Sequence, residues 1–137
     1  MLILPLLLGA ADGQEVEQAK SEATAALVDV LKYWHVEQYG AIYDRGTTAS
    51  RSLFSREDFV LKMRSLGCRP TCCHTTFQLR SADYRSTTLV VVTGKVGLQF
   101  SGRIVPRFTC APSVRSYPMT READSWRVDL TSILVVY

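Results

Sequence analysis

The order of its periodicities constrains this chain more than any other feature. From Glu15 to Asp44 apolar residues recur every three or four positions, through Ala23, Ala26, Leu27, Val30, Leu31, Trp34 and Ile42, which is the repeat of one helical face. From residue 71 onward the repeat shortens to two, the signature of strands. Helices first and an antiparallel sheet after them make an α+β fold. With 137 residues the chain has room for one domain and one core.

Smaller signals subdivide these halves. Gly40 is the expected bend or break in the long helical stretch, and Gly46, Thr47, Thr48 and Ser50 read as a polar loop. Ser55 followed three residues on by Asp58 resembles a capping box, opening a second amphipathic helix through Phe59, Val60, Met63 and Leu66. Gly67 fits the position just past that helix, and Pro70 blocks its return. In the second half Phe77 and Leu79 alternate with Gln78 and Arg80. Leu89, Val90, Val91 and Val92 read as a more deeply buried strand, and Ile104, Pro106 and Phe108 mark another. A last strand is expected from Trp126 to Val136. Tyr84-Arg85-Ser86 and Ser101-Gly102 are hairpin turns in this reading, so the strands meander. The stretch from Pro112 to Pro118 is expected to be irregular or on an edge, because proline cannot donate to a ladder.

Residues 1–11 stand apart. Leu2, Ile3, Leu4, Leu6, Leu7 and Leu8 form an apolar run, and Gly9, Ala10 and Ala11 place small residues where a signal peptidase cleaves, which predicts a mature chain beginning at Asp12. The run is too short to span a bilayer, which takes about 20 residues, so no transmembrane segment is expected. Hydrophobic residues at 47% and charged residues at 21% exclude a disordered chain and a multi-span membrane protein. A secreted or periplasmic location also suits the four cysteines, Cys68, Cys72, Cys73 and Cys110, as disulfide candidates. In a simple meander Cys73 and Cys110 lie too far apart to bridge, whereas Cys68, just after the helix, can reach either the adjacent pair or the sheet. A zinc site from Cys68, Cys72, Cys73 and His74 is disfavoured, because consecutive strand residues point to opposite faces and cannot converge on one ion. No metal and no cofactor are expected.

The net charge of +3 is too small to imply nucleic acid, and its distribution is uneven. Residues 67–137 carry nine basic against four acidic side chains. Arg80, Arg85, Arg103, Arg107, Arg115, Arg121 and Arg127 fall mostly on expected polar faces of strands, a surface suited to an acidic protein or glycan.

Three stretches resemble a known group. W-H-V-E-Q-Y-G-A-I-Y-D over Trp34–Asp44, S-R-E-D-F-V over Ser55–Val60 and D-S-W-R-V over Asp124–Val128 are together similar, in order and spacing, to exported bacterial members of the nuclear transport factor 2-like superfamily. The resemblance covers most of residues 15–136. It implies a cone in which N-terminal helices pack in the concave face of a bent antiparallel meander sheet, with a hollow at the wide end. That fold hosts isomerases and cyclases as well as binding domains, so function is argued from side chains. Trp34, Tyr39, Tyr43 and His74 are the candidate residues of the hollow, for a small apolar ligand or a partner surface. A homodimer is one arrangement open to such a domain. The expectation is an exported, non-catalytic binding domain. The alternative is an isomerase- or cyclase-type enzyme in which Tyr39, Tyr43 and His74 are donors and Asp44 the base. Asp44 precedes a polar loop and is expected in solvent, and His35 is expected as a partly exposed helical residue.

Overall fold

The long helical face closes on itself only once it is packed. In the computed structural model, which describes residues 13–71, 77–101 and 110–134, helix α1 spans Gly13–His35 and buries Ala23, Leu27, Val30, Leu31 and Trp34. These residues stack on one side at intervals of three and four. The chain then breaks at Glu37, which adopts a left-handed φ of 61°, and α2 (Tyr39–Asp44) follows. The break therefore falls before Gly40, and that glycine has another role. A Cβ there would collide with the guanidinium of Arg56, so Gly40 lets the arginine lie flat on α2.

The polar loop expected at 46–50 contains a helical turn, α3 (Thr48–Arg51), whose N-cap Thr47 accepts from Ser50 N. Helix α4 (Arg56–Leu66) begins and ends as its sequence demands: the Ser55 side chain accepts from Asp58 N at 3.0 Å, and Gly67 closes it at φ 72°.

The strands form two antiparallel sheets rather than one. β2 (Phe77–Ser86), β3 (Leu89–Val96), β5 (Ser113–Glu122) and β6 (Ser125–Val128) make a four-stranded meander in the order β2-β3-β5-β6. β1 (Cys68–Pro70) and β4 (Leu98–Phe100) pair separately. Gly97 is the joint: β3 ends at Val96, β4 begins at Leu98, and the Gly97 carbonyl accepts from Thr71 N at 2.9 Å. The turn between β2 and β3 lies at Thr87-Thr88, just past the expected one.

β3 alternates strictly between buried and partly exposed positions, with Val90, Val92 and Val96 inward. α1 packs on the sheet from one side, leaving Leu89, Val91, Thr93 and Lys95 on the wetter side. Tyr117 and Met119 of β5 and Trp126 and Val128 of β6 complete the inner face, and Ile42, Phe59 and Met63 close the core beside it.

Near the end of the chain one expectation holds in part and one is corrected. The stretch from Ser113 is not irregular, since it pairs with β3 throughout, but β6 joins its other side only from Met119 onward, so residues 113–118 lie on an edge as expected. Pro118 is tolerated because its carbonyl accepts from Asp129 N at 3.2 Å, just past the end of β6. Carbonyl and imide nitrogen of one strand residue face the same side, so the missing donor also faces that end and costs no bond to β3. The expected strand from Trp126 to Val136 stops at Val128. Asp129 then caps a short helix, α5 (Leu130–Leu134), by accepting from Thr131 N at 3.0 Å and Thr131 Oγ1 at 2.7 Å. Leu130 and Ile133 thereby turn into the core.

Cys68 and Cys110 form a disulfide with Cα atoms 5.7 Å apart, as the cysteine count anticipates. Cys72, Cys73, His74, Arg103, Arg107, the expected strand at 104–108 and residues 1–11 and 135–136 lie outside the described residues. Among the described residues no helix is long and apolar enough to cross a membrane.

Candidate functional site

The end of α2 and the last strand are fastened together by backbone bonds. Val128 N donates to Arg45 O at 3.0 Å and Thr47 N to Val128 O at 2.9 Å, which makes a parallel bridge between Gly46 and Val128. Gly46 is required there because a Cβ would overlap the Leu130 side chain. Arg127 braces the junction by donating to the Asp44 carbonyl at 2.8 Å. Glu122, at the far end of the hairpin, accepts from Thr48 N at 3.0 Å and Thr48 Oγ1 at 2.8 Å. These Thr48 side-chain and backbone bonds, with Arg127 and Arg51 nearby, hold the Glu122 carboxyl below the usual carboxylate range.

This junction frames a hollow of about 310 Å³ lined by Tyr33, Ala41, Asp44, Arg45, Ser125, Trp126 and Arg127. The Arg45 guanidinium lies 4.8 Å from the centroid of the Tyr33 ring and donates to the Tyr33 hydroxyl at 3.0 Å, so a cation is pre-positioned on an aromatic face. Ser125 is exposed, and Trp126 turns its indole N–H away to Glu22 Oε1 at 3.2 Å.

A second hollow, of about 440 Å³, runs along α4 and is lined by Arg56, Glu57, Val60, Leu61 and Arg64. Asp44 and Arg56 join the two through bonds of 3.2 Å from Nε to Oδ1 and from NH2 to Oδ2. The hydrogen bonds and charge of Asp44 raise the pKa of Arg56 above its ordinary value.

Of the residues expected to line a ligand hollow, Trp34, Tyr39 and Tyr43 are not in the lining of either hollow. Trp34 is wholly enclosed and donates its indole N–H to Cys68 O at 3.1 Å. Tyr39 is buried at the start of α2. The Tyr43 hydroxyl lies 2.9 Å from both Arg51 O and Phe54 O, tying down the loop before α4, and its ring packs 5.8 Å from Phe59. His74 lies outside the described residues. His35 is partly exposed, as expected, with Nδ1 2.7 Å from Pro70 O. Asp44 is exposed, as expected, and engaged by Arg56.

Among the described residues the arginines named above do not form one cationic sheet face. Arg80 and Arg85 sit at the two register shifts of β2, Arg127 is turned to carbonyls and Glu122, and Arg115 is only 6% exposed. Arg115 pairs across the ladder with Gly94, where the ring of Phe77 occupies the space of a Cβ.

No local pattern brings Arg45, Ser125 and Arg127 together, since residues 45 and 125–127 are joined by the Gly46–Val128 bridge and the Arg127 bond to Asp44 O. One weak signal exists in the small residue Gly46 beside Arg45. Among the described residues no group of three or more His, Cys, Asp or Glu could hold a metal ion. No protein-family model matches the chain, and comparison with curated proteins finds no match.

Proposed function

We propose that this chain is an exported, non-catalytic binding domain of the nuclear transport factor 2-like kind, and that the hollow between α2 and β6 is where it meets a ligand or partner. The observation that carries this reading is the lining itself. Two guanidiniums, Arg45 and Arg127, two aromatic rings, Tyr33 and Trp126, and an exposed serine hydroxyl converge on one hollow beside Asp44, and such groups are suited to recognising acidic and planar surfaces. Asp44, the residue an isomerase-type reading would use as base, shares its carboxylate with Arg56 and stands 59% exposed, whereas a general base at neutral pH is usually tuned by burial. Export is supported by the apolar run ahead of Asp12 and by the Cys68–Cys110 disulfide, since such bonds persist in oxidising compartments.

Two measurements test the reading. Amide chemical-shift mapping with a panel of small carboxylates and acidic peptides is expected to move the resonances of Arg45, Ser125 and Arg127. Mass spectrometry of the protein from its native host is expected to find a chain starting at Asp12. Turnover of hydrophobic ketones that Asp44→Asn abolishes in a folded protein would replace the binding reading with the enzymatic one.

A further inference from the structure

The Asp44–Arg56 pair stands where the two hollows meet, for Asp44 lines one and Arg56 the other. Both side chains are open to solvent, at 59% and 57% exposure, and an exposed ion pair contributes little to stability. An incoming carboxylate can therefore take the place of Asp44 on Arg56 at small cost. Along α4 the floor changes character: Val60 and Leu61, the latter 60% exposed, lie between Arg56 and Arg64. On the other side of the pair lie Arg45 and Arg127.

We propose that the two hollows form one track for an extended acidic peptide segment of a partner protein, with the pattern acid-x-apolar-x-acid and the Asp44–Arg56 pair as its resident competitor. The proposal rests on the binding reading above. Its spacing follows from the helix: eight residues separate Arg56 from Arg64, about 12 Å at 1.5 Å per residue, which an extended strand covers in roughly four residues. One acid then meets Arg56, an apolar side chain rests on Val60 and Leu61, and a second acid meets Arg64. A further acidic residue upstream reaches Arg45. A peptide is favoured over a polyphosphate because the four arginines are interleaved with Asp44 and Glu57, whose carboxylates repel a uniform polyanion. The apolar floor between cations also asks for a mixed side-chain sequence.

The test is fluorescence anisotropy of a labelled peptide, Glu-Glu-Gly-Glu-Gly-Leu-Gly-Glu, with the intact oxidised protein at low salt. Arg64→Ala and Arg45→Ala are each expected to weaken binding roughly fivefold, and Asp44→Asn to tighten it roughly threefold by releasing Arg56. The glutamine version of the peptide is expected not to bind. Thermal melts of each variant establish that the fold is kept, and Arg64→Gln repeats the charge loss at nearly constant bulk. The track is overturned if Asp44→Asn weakens binding or leaves it unchanged, if the glutamine peptide binds equally, or if anionic phospholipid vesicles or a DNA oligonucleotide bind more tightly than the peptide. If the peptide fails while other ligands still shift Arg45 and Ser125, the track falls and the binding reading stands. Ketone turnover lost in Asp44→Asn removes both.

Discussion

Trp34 lies near the C-terminal end of α1, sealed from solvent, and donates its indole N–H to a backbone carbonyl, Cys68 O, at 3.1 Å. Trp126 lies on β6, 9% exposed, and donates to a carboxylate in the first half of the same helix, Glu22 Oε1, at 3.2 Å. The C-terminal end of α1 is thus held by a neutral, buried bond next to a disulfide, and its middle by a titratable bond at the protein's edge. The difference teaches which attachment is built for permanence. A buried carbonyl left without its donor costs about 1–3 kcal/mol, whereas an edge carboxylate is re-solvated when its partner leaves. The hollow between α2 and β6 draws on both regions, with Tyr33 beside Trp34 on one side and Trp126 on the other.

Removing the disulfide is the most severe way to break this asymmetry. Cys68 and Cys110 are 42 residues apart, and in the chain-entropy account closing a loop of that length stabilises by about 4 kcal/mol. Cys68→Ala with Cys110→Ala is expected to lose about that much in urea unfolding, with the slope altered because the unfolded chain is no longer cross-linked.

Trp34→Phe comes next, with an expected loss of about 2–3 kcal/mol from a smaller ring and an orphaned Cys68 carbonyl. Trp126→Phe, which leaves Glu22 facing water, is expected to lose about 1 kcal/mol or less. Equal losses would erase the distinction between the two attachments. Because Trp34 binds the carbonyl of a bridged residue, the disulfide and Trp34 losses are expected to be non-additive, which a double-mutant cycle measures.

Acid sharpens the contrast. Hydrogen bonds from Gln18 and then Trp126, with Arg121 nearby, lower the Glu22 pKa from its ordinary 4.5, and Glu122 is lowered in the same direction by Thr48. A carboxyl with a depressed folded pKa stabilises above its unfolded value and loses that contribution as pH falls through the folded value. Stability is therefore expected to decline below about pH 4.5 and to level off once both groups are protonated in the folded state, with each site contributing under about 1 kcal/mol at such exposed positions. Trp126 emission is expected to follow the Glu22 titration while Trp34 emission stays flat. Glu22→Gln abolishes the Trp126 response if the assignment holds, and its persistence would assign the response elsewhere.

Much of the permanent end was readable in the sequence. The stripe from Ala23 to Trp34, the Ser55–Asp58 cap and Gly67 are local patterns, and local patterns report local structure. Asp129 ahead of Leu130-Thr131-Ser132 is also a local capping signal, but the apolar run around it reads equally as a strand, and only burial of Ile133 against the core decides for a helix. Pro118 reports one side of β5 rather than the whole strand, because its nitrogen faces the side that β6 reaches only from Met119 onward while the other side pairs with β3. Arg115 misleads because its alternation places it inward, opposite a glycine, where an arginine is rarely expected. The hollow itself depends on contacts between residues about 80 apart in sequence, such as Arg127 with Asp44 O and Gly46 O, and no periodicity carries that information.

The smallest expected effect separates the two regions by sign. Glu37, three residues after Trp34, and Ala123, three before Trp126, are the described non-glycine residues with left-handed backbone, at φ 61° and 55°. For an L-residue this conformation costs about 1–2 kcal/mol, of which glycine's larger unfolded-state entropy returns about half. Ala123 is a methyl side chain at a hairpin tip, so Ala123→Gly is expected to stabilise by about 0.5–1 kcal/mol. At Glu37 the same backbone relief is outweighed, because its carboxylate, 12% exposed, accepts from Arg69 NH1 at 2.9 Å and leaves that guanidinium short of a partner when removed, a loss of about 1–3 kcal/mol for a charged hydrogen bond. Glu37→Gly is therefore expected to destabilise, and paired thermal melts showing both substitutions moving in the same direction would end the claim that the Trp34 end is the fixed one.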